Sequence, residues 1–215
     1  KRFSGDTKVT DLLYRCYDAA CAGQDFAPVL DEIRQRFADI ISELQLQVDL
    51  VPDFAAIEAH LRTSPQRDYM ASRGEYLNSR LLAAYLGFSF VDAAQMVLFR
   101  ADGSFDAAAT HTAIGHAPVS IDRAVIPGFY GAMPDGTIHT FSRGGSDVTG
   151  SIVARAVGAE LYENWTDVSG VLAADPRIIE HPHVVDYITY RELRELSYMG
   201  ASVLHEDAVF PVRRA

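Results

Sequence analysis

Five consecutive residues, Arg143, Gly144, Gly145, Ser146 and Asp147, have the types and order of an anion-holding turn. Arginine carries a planar fork of donors suited to a carboxylate or phosphate. Glycines leave the backbone open to close approach. Ser146 and Asp147 carry a helix-capping signal. Val148, Ile152, Val153, Ala156 and Val157 follow at helical spacing, with Gly158 where a C-cap is expected. The first N–H groups of such a helix lack intrahelical partners, and its dipole adds partial positive charge there. A β-rich run over 137–142 enters the glycine pair, so the order is strand, glycine turn, helix N-terminus. That order reads either as an anion site or as a tight β-to-α connection with a surface arginine.

The elements that must position this turn divide into two kinds. Helical periodicity dominates the first part of the chain, over 9–23, 26–46, 54–61 and 72–86. Pro52 marks a break before the third of these helices. In the fourth, Leu77, Leu81, Leu82 and Tyr85 share one side. Short β-type runs follow at 88–91, 96–99 and 124–130, with a small helix over 105–115 and a turn at 133–136. Beyond the glycine turn, strands are expected over 161–166 and 184–188, and helices over 190–198 and 205–212. Strands alternating with helices argue for an α/β fold with a mostly parallel sheet covered on both faces. No repeat, low-complexity segment or linker interrupts the chain, so one domain over 1–215 is expected.

Composition narrows the function classes. The 215 residues suffice for a sizeable core, and 48% hydrophobic with 22% charged content is ordinary for a soluble globular domain. A net charge of −10 argues against a nucleic-acid backbone as the main partner. No apolar run is long enough for a bilayer. Cys16 and Cys21 read as reduced, half-buried thiols on one helix in a cytosolic protein. Their company leaves Asn164-Trp165-Thr166 as a coincidental glycosylation match. His181-Pro182-His183 with Glu180 and Asp186, like His111 and His116, lacks metal-ligand spacing and reads as exposed loop. Lysine occurs only at positions 1 and 8 among 19 basic residues, which matters because phosphoryl-transfer sites usually use one.

Linked motifs add to this reading. Ser142-Arg143-Gly144-Gly145-Ser146-Asp147, Trp165-Thr166-Asp167-Val168-Ser169-Gly170, Asp175-Pro176-Arg177 and Met199-Gly200-Ala201-Ser202-Val203-Leu204-His205 occur in that order. Together they resemble the kinase domain of aspartate kinases, in the amino acid kinase family. The resemblance is close from about residue 125 onward, good at 6–13 and 72–82, and loose between. It implies a three-layer α/β/α sandwich, helix-rich in its N-terminal half. It also implies ATP-dependent phosphorylation of the side-chain carboxylate of L-aspartate to 4-phospho-L-aspartate, the first step towards lysine, threonine and methionine, with ATP and Mg²⁺ as cofactors. Mg²⁺ would sit mostly on ATP oxygens and water. A cytoplasmic homo-oligomer is the expected setting. Relatives of this kind begin with a strand carrying a Lys-Phe-Gly-Gly type motif and end in small regulatory domains. Neither is in this sequence, so the chain reads as a central fragment. The alternatives are a glutamate or carbamate kinase of the same family, or a fragment that only binds ligand or assembles.

Residue by residue, the resemblance gives Arg143 the grip on an aspartate carboxylate, with the amides of Gly144, Gly145 and Ser146 beside it. Asp147 matches an aspartate with a catalytic role. Its plainer reading is stabilisation of a helix terminus, about 0.3–1 kcal/mol. Glu75, in Ser72-Arg73-Gly74-Glu75, matches the substrate-binding glutamate and suits an ammonium group. By local sequence alone it is an ordinary solvated helix charge. Thr10, in Lys8-Val9-Thr10-Asp11, matches a threonine near substrate and is equally a candidate helix cap. Thr166, Asp167 and Arg177 fall to the nucleotide, with the Ser202 hydroxyl and Val203 amide. Leu172 stands where many relatives have a tyrosine, and Ser202 where some have a lysine.

Overall fold

The structure, a computed structural model, describes residues 6–116, 123–142, 144–165, 170–175 and 178–198. The chain divides into two compact units, Lys1–Thr140 and Phe141–Ala215.

The first unit is built on four helices: α1 (Val9–Cys21), α2 (Ala27–Glu43), α3 (Val51–Thr63) and α4 (Arg67–Leu86). Each contributes one apolar stripe to a common core. Leu12, Leu13 and Cys16 come from α1, Leu30, Ile33 and Phe37 from α2, Phe54, Ile57 and Leu61 from α3, and Met70, Leu77 and Leu81 from α4. Burying each such side chain stabilises the fold by about 1.5–3 kcal/mol. The helical periodicity of the first 86 residues is therefore core periodicity. Three of its details differ from expectation. Pro52 lies in the first turn of α3, where a missing N–H is harmless, and so starts the helix. The α4 helix begins five residues before Ser72, at Arg67, because Gln66 is the first extended residue upstream. Leu82 and Tyr85 are exposed, so of the four expected together on α4 only Leu77 and Leu81 are buried, on a face that also carries Met70.

A small mixed β region follows α4. Strand β1 (Ser89–Phe90) pairs in parallel with β2 (Ala124–Val125), and β3 (Tyr130–Ala132) pairs antiparallel with β4 (Ile138–Thr140). The expected run over 124–130 is thus two strands separated by a loop. In that loop Phe129 holds a left-handed backbone, φ 82. Residues 96–99 form bridges and no ladder. Leu98 meets Ala132 in parallel and Phe99 meets Phe105 antiparallel. A short 3₁₀ turn, Ala93–Gln95, is capped by Asp92, which accepts from the Ala94 N–H at 3.0 Å. Helix α5 (Ala107–Gly115) is capped by Asp106 in the same manner. Met133 to Gly136 form the turn between β3 and β4, where Asp135 accepts from the N–H and hydroxyl of Thr137.

The second unit contains α6 (Gly145–Ala156) and α7 (Tyr190–Tyr198). Helix α6 ends in a paired-bond C-cap: Gly158 N–H donates to the Arg155 carbonyl and Ala159 N–H to that of Ala154, with Gly158 at φ 66. At the start of α7, Thr189 and Glu192 cap each other. The Thr189 N–H donates to the Glu192 carboxylate at 2.8 Å, and the Glu192 N–H to the Thr189 hydroxyl at 3.3 Å. Residues 161–165 pair in no ladder, and the expected strand at 184–188 contributes a single bridge, Leu172 to Val184. Trp165, the chain's one tryptophan, is 88% exposed. The expected helix at 205–212 lies outside the described residues. Cys16 is buried and Cys21 exposed, rather than both half-buried, and both are free thiols. No helix among the described residues is long and apolar enough to cross a membrane.

Candidate functional site

Within the first unit, Thr10 of α1 lies against Gly74, the residue before Glu75 on α4. Helix α1 packs on α4 such that a β-carbon on Gly74 would sit 3.7 Å from Thr10 Oγ1 and 3.7 Å from Leu13 Cδ1. These are ordinary van der Waals distances, so the threonine hydroxyl lies against the α4 backbone at Gly74, one residue before Glu75. Thr10 is exposed and is not the helix cap. That position belongs to Lys8, whose backbone is extended, and Thr10 is already helical. Its hydroxyl is thereby left for other partners. Glu75 has solvent access, yet the protein around it desolvates the carboxyl and raises it above its ordinary value.

One residue upstream, Arg73 is 6% exposed, an unusual burial for a guanidinium. Its carbon centre lies 4.5 Å from the Tyr69 ring, 4.4 Å from Tyr76 and 5.4 Å from Tyr130. Its Nε and Nη2 donate to Ser72 Oγ at 3.1 and 2.9 Å. The phenols carry the network outward. Tyr76 donates to Asp53 at 2.8 Å and Tyr130 to Asp92 at 2.6 Å. Burial raises the Tyr76 phenol to about 12 and pushes Tyr130 far up, so both remain donors at any ordinary pH. Three aromatic faces and the Ser72 hydroxyl stand in for the water that Arg73 has lost. This cluster fixes the rotation of α4 and so the direction in which Glu75 leaves it. Sequence reading missed it. The available signal was Tyr69 and Tyr76, four residues before and three after Arg73, which places all three on one helical face.

Within the second unit, Gly144 is the N-cap of α6, in a left-handed conformation at φ 57, ψ 22. The expected capping by Ser146 and Asp147 is displaced by two residues. No side chain caps the helix, and Gly145, Ser146 and Asp147 form its first turn. Gly145 is buried and Ser146 exposed. The amides of that turn have no intrahelical acceptor, and the absence of a side-chain cap leaves them to a ligand or water. Asp147 faces the same end. Its carboxylate accepts from Asn164 Nδ2 at 3.2 Å, and its carbonyl from the Tyr162 phenol at 3.3 Å. These two bonds hold the segment after α6 against the turn. Burial, then the Asp147 charge, raises the Tyr162 phenol, which therefore stays a donor.

Arg143, and the nucleotide candidates Thr166, Asp167, Arg177, Ser202 and Val203, lie outside the described residues. Among the described residues, no group of three or more His, Cys, Asp or Glu side chains could hold a metal ion.

A model of the amino acid kinase family matches residues 21–215, across both units. The chain belongs to the amino acid kinase family. Within it, the chain is similar to aspartate kinases. Aspartokinase 3 of Bacillus subtilis is 35% identical over all of this chain and 50% of its own length. The crystal structure of Clostridium acetobutylicum aspartate kinase superposes with a TM-score of 0.93 at 50% identity, over all of this chain and 49% of that one. Escherichia coli aspartokinase III, solved with aspartate and ADP, shares the fold at a TM-score of 0.79 and 24% identity. The chain spans about half the length of these relatives. As a member of this family it has the α/β fold expected from the alternation of its elements, with its helices concentrated in the N-terminal half.

Proposed function

We propose that the chain forms the substrate-binding part of an aspartate kinase, which transfers a phosphoryl group from ATP to the side-chain carboxylate of L-aspartate. The observation that carries this reading is the likeness to the C. acetobutylicum enzyme over the whole chain at 50% identity. The family match supports treating both units as one amino acid kinase domain.

The chemistry asks little of a base, because the acceptor carboxylate is already anionic. Its difficulty is bringing that anion against a polyanionic triphosphate, so catalysis rests on positioning and charge neutralisation. In this reading Glu75 receives the substrate ammonium, with the Thr10 hydroxyl beside it. Arg143 and the amides of Gly144, Gly145 and Ser146 take a carboxylate, for which an uncapped helix start is well suited. Asp147 is the catalytic aspartate, oriented by Asn164 and Tyr162. Thr166, Asp167, Arg177, Ser202 and Val203 serve the nucleotide. ATP supplies the phosphoryl group when bound, and Mg²⁺ is held chiefly by its oxygens and by water. The free thiols of Cys16 and Cys21 agree with a cytoplasmic setting, and a homo-oligomer is the working expectation for the full-length protein.

Hydroxylamine trapping tests the reading. With MgATP and L-aspartate the protein should form an aspartyl hydroxamate. Formation from another acid, with none from aspartate, would replace this substrate with that one.

A further inference from the structure

Resting on that reading, we propose that Gly150 and Tyr162 form a lock on the start of α6, through which Tyr162 acts as a positioning residue for Asp147. Gly150 lies inside α6, three residues after Asp147, so the two share one face of the helix about a turn apart. A glycine inside a helix costs stability relative to alanine, so its presence there asks for a reason. The reason is the Tyr162 ring. A β-carbon at Gly150 would stand 2.6 Å from the Tyr162 phenol oxygen and 3.0 Å from its Cε2 and Cζ. Without that carbon the ring lies directly against the helix, and its hydroxyl donates to the Asp147 carbonyl at 3.3 Å.

All of these residues belong to the second unit. Two positions after the tyrosine, Asn164 Nδ2 donates to the Asp147 carboxylate at 3.2 Å. Glu163 and Trp165 alternate with these two and stay exposed. They bond each other, the indole N–H donating to the Glu163 carboxylate at 3.2 Å. The segment thus turns every second residue to α6, in the alternation of extended chain. Asp147 is held at two points. The phenol fixes the backbone from which its side chain starts, and the Asn164 amide fixes the carboxylate at its end. The two torsions in between are confined, so the carboxylate keeps one aim before any ligand arrives. Asn164 is exposed and its bond competes with water, whereas the Tyr162 ring is half-buried and is the firmer hold.

The experiment places Tyr162→Phe and Gly150→Ala in the full-length protein, each alone and combined with Asp147→Asn. Steady-state kinetics by hydroxylamine trapping are read beside thermal melting. Tyr162→Phe removes the hydroxyl and keeps the ring. Gly150→Ala puts a methyl group where the phenol sits and favours the helix at the same time. Each should lower kcat about tenfold, with KM for L-aspartate within about threefold and Tm within about 3 °C of wild type. Combined with Asp147→Asn, either change should cost less than a further twofold, because no aimed carboxylate remains to be lost. Wild-type kcat in Gly150→Ala, or a tenfold loss that persists beside Asp147→Asn, overturns the proposal. Wild-type kcat in Asp147→Asn removes Asp147 from the chemistry and overturns the proposal with it. Hydroxamate from a different acid overturns the substrate alone, and the same comparison run with that acid still decides the lock.

Discussion

Gly131 lies against the Val97 backbone with no room for a β-carbon, which would fall inside contact distance of the Val97 carbonyl and 2.8 Å from Val97 Cγ1. The closeness has a cause. Val97 C=O accepts the Ala132 N–H at 2.9 Å, and Phe99 N–H donates to the Ala132 carbonyl at 2.9 Å, which draws the two backbones together beside Gly131. A Gly131→Ala substitution must push these backbones apart and break the bridge. We expect a loss of about 3 kcal/mol, or roughly 8 °C in Tm, read by circular dichroism. A melt within 2 °C of wild type would show that the backbone can give.

The buried Arg73 should tolerate no replacement. Lysine keeps the charge but not the flat face that meets Tyr69, Tyr76 and Tyr130. Arg73→Lys should cost about 1–2 kcal/mol, and Arg73→Ala about 3 kcal/mol or more, because the latter leaves a cavity between the three rings. Urea unfolding of both variants checks the order. Equal losses would assign the stabilisation to shape alone.

His60 gives the fold a dependence on pH. Its ring stacks on Tyr69 with centroids 3.8 Å apart, and its Nε2 is buried without a hydrogen-bond partner. Burial, then the Arg73 charge, holds its pKa below the ordinary 6.5. The unfolded chain therefore takes up the proton first. The contribution is fully present above pH 6.5 and is lost as pH falls from there through the lower folded value. His60→Phe keeps the stack and removes the titration. Between pH 7.5 and 5.5 wild type should lose more Tm than the variant, and parallel curves would remove His60 from the account.

Under the proposed function, Glu75 and Asp147 should fail in different ways. Glu75→Gln loses a charge-assisted contact, so KM for L-aspartate should rise about 10- to 100-fold. Because burial raises the Glu75 carboxyl, the contact is lost as pH falls through a value above 4.5, and the glutamine variant should lack this acid limb. Asp147→Asn should instead lower kcat about 100-fold with a smaller change in KM. Steady-state kinetics with hydroxylamine trapping separates the two. The reverse pattern would exchange their roles.

Much of this molecule was legible beforehand because helical periodicity reports burial directly. Leu12, Leu13, Ile33, Phe37, Leu77 and Leu81 were readable as core, and all are buried or nearly so. Gly158 was readable as a helix stop because few residues but glycine tolerate its backbone. The β elements were less legible. Val97 and Phe99 have the composition of a strand, but they pair through single bridges, and pairing depends on partners far away in the chain. The cap of α6 was misplaced because Ser146 and Asp147 are good capping types, whereas Gly144 reaches the same geometry through its backbone alone. Thr189 and Glu192 have the spacing of a capping box and could have been found. Arg73 was passed over because arginine is usually a surface residue, and only the tertiary approach of Tyr130 completes its cage.

The lone indole at Trp165 has a practical consequence. It already stands almost fully in solvent, so its emission is red-shifted while the molecule is intact and has little further to travel on denaturation. A tryptophan fluorescence trace would be nearly silent on the melting of the four-helix core. Tyrosine absorbance, which samples Tyr69 and Tyr76 packed against that core, is the optical channel that would see it go.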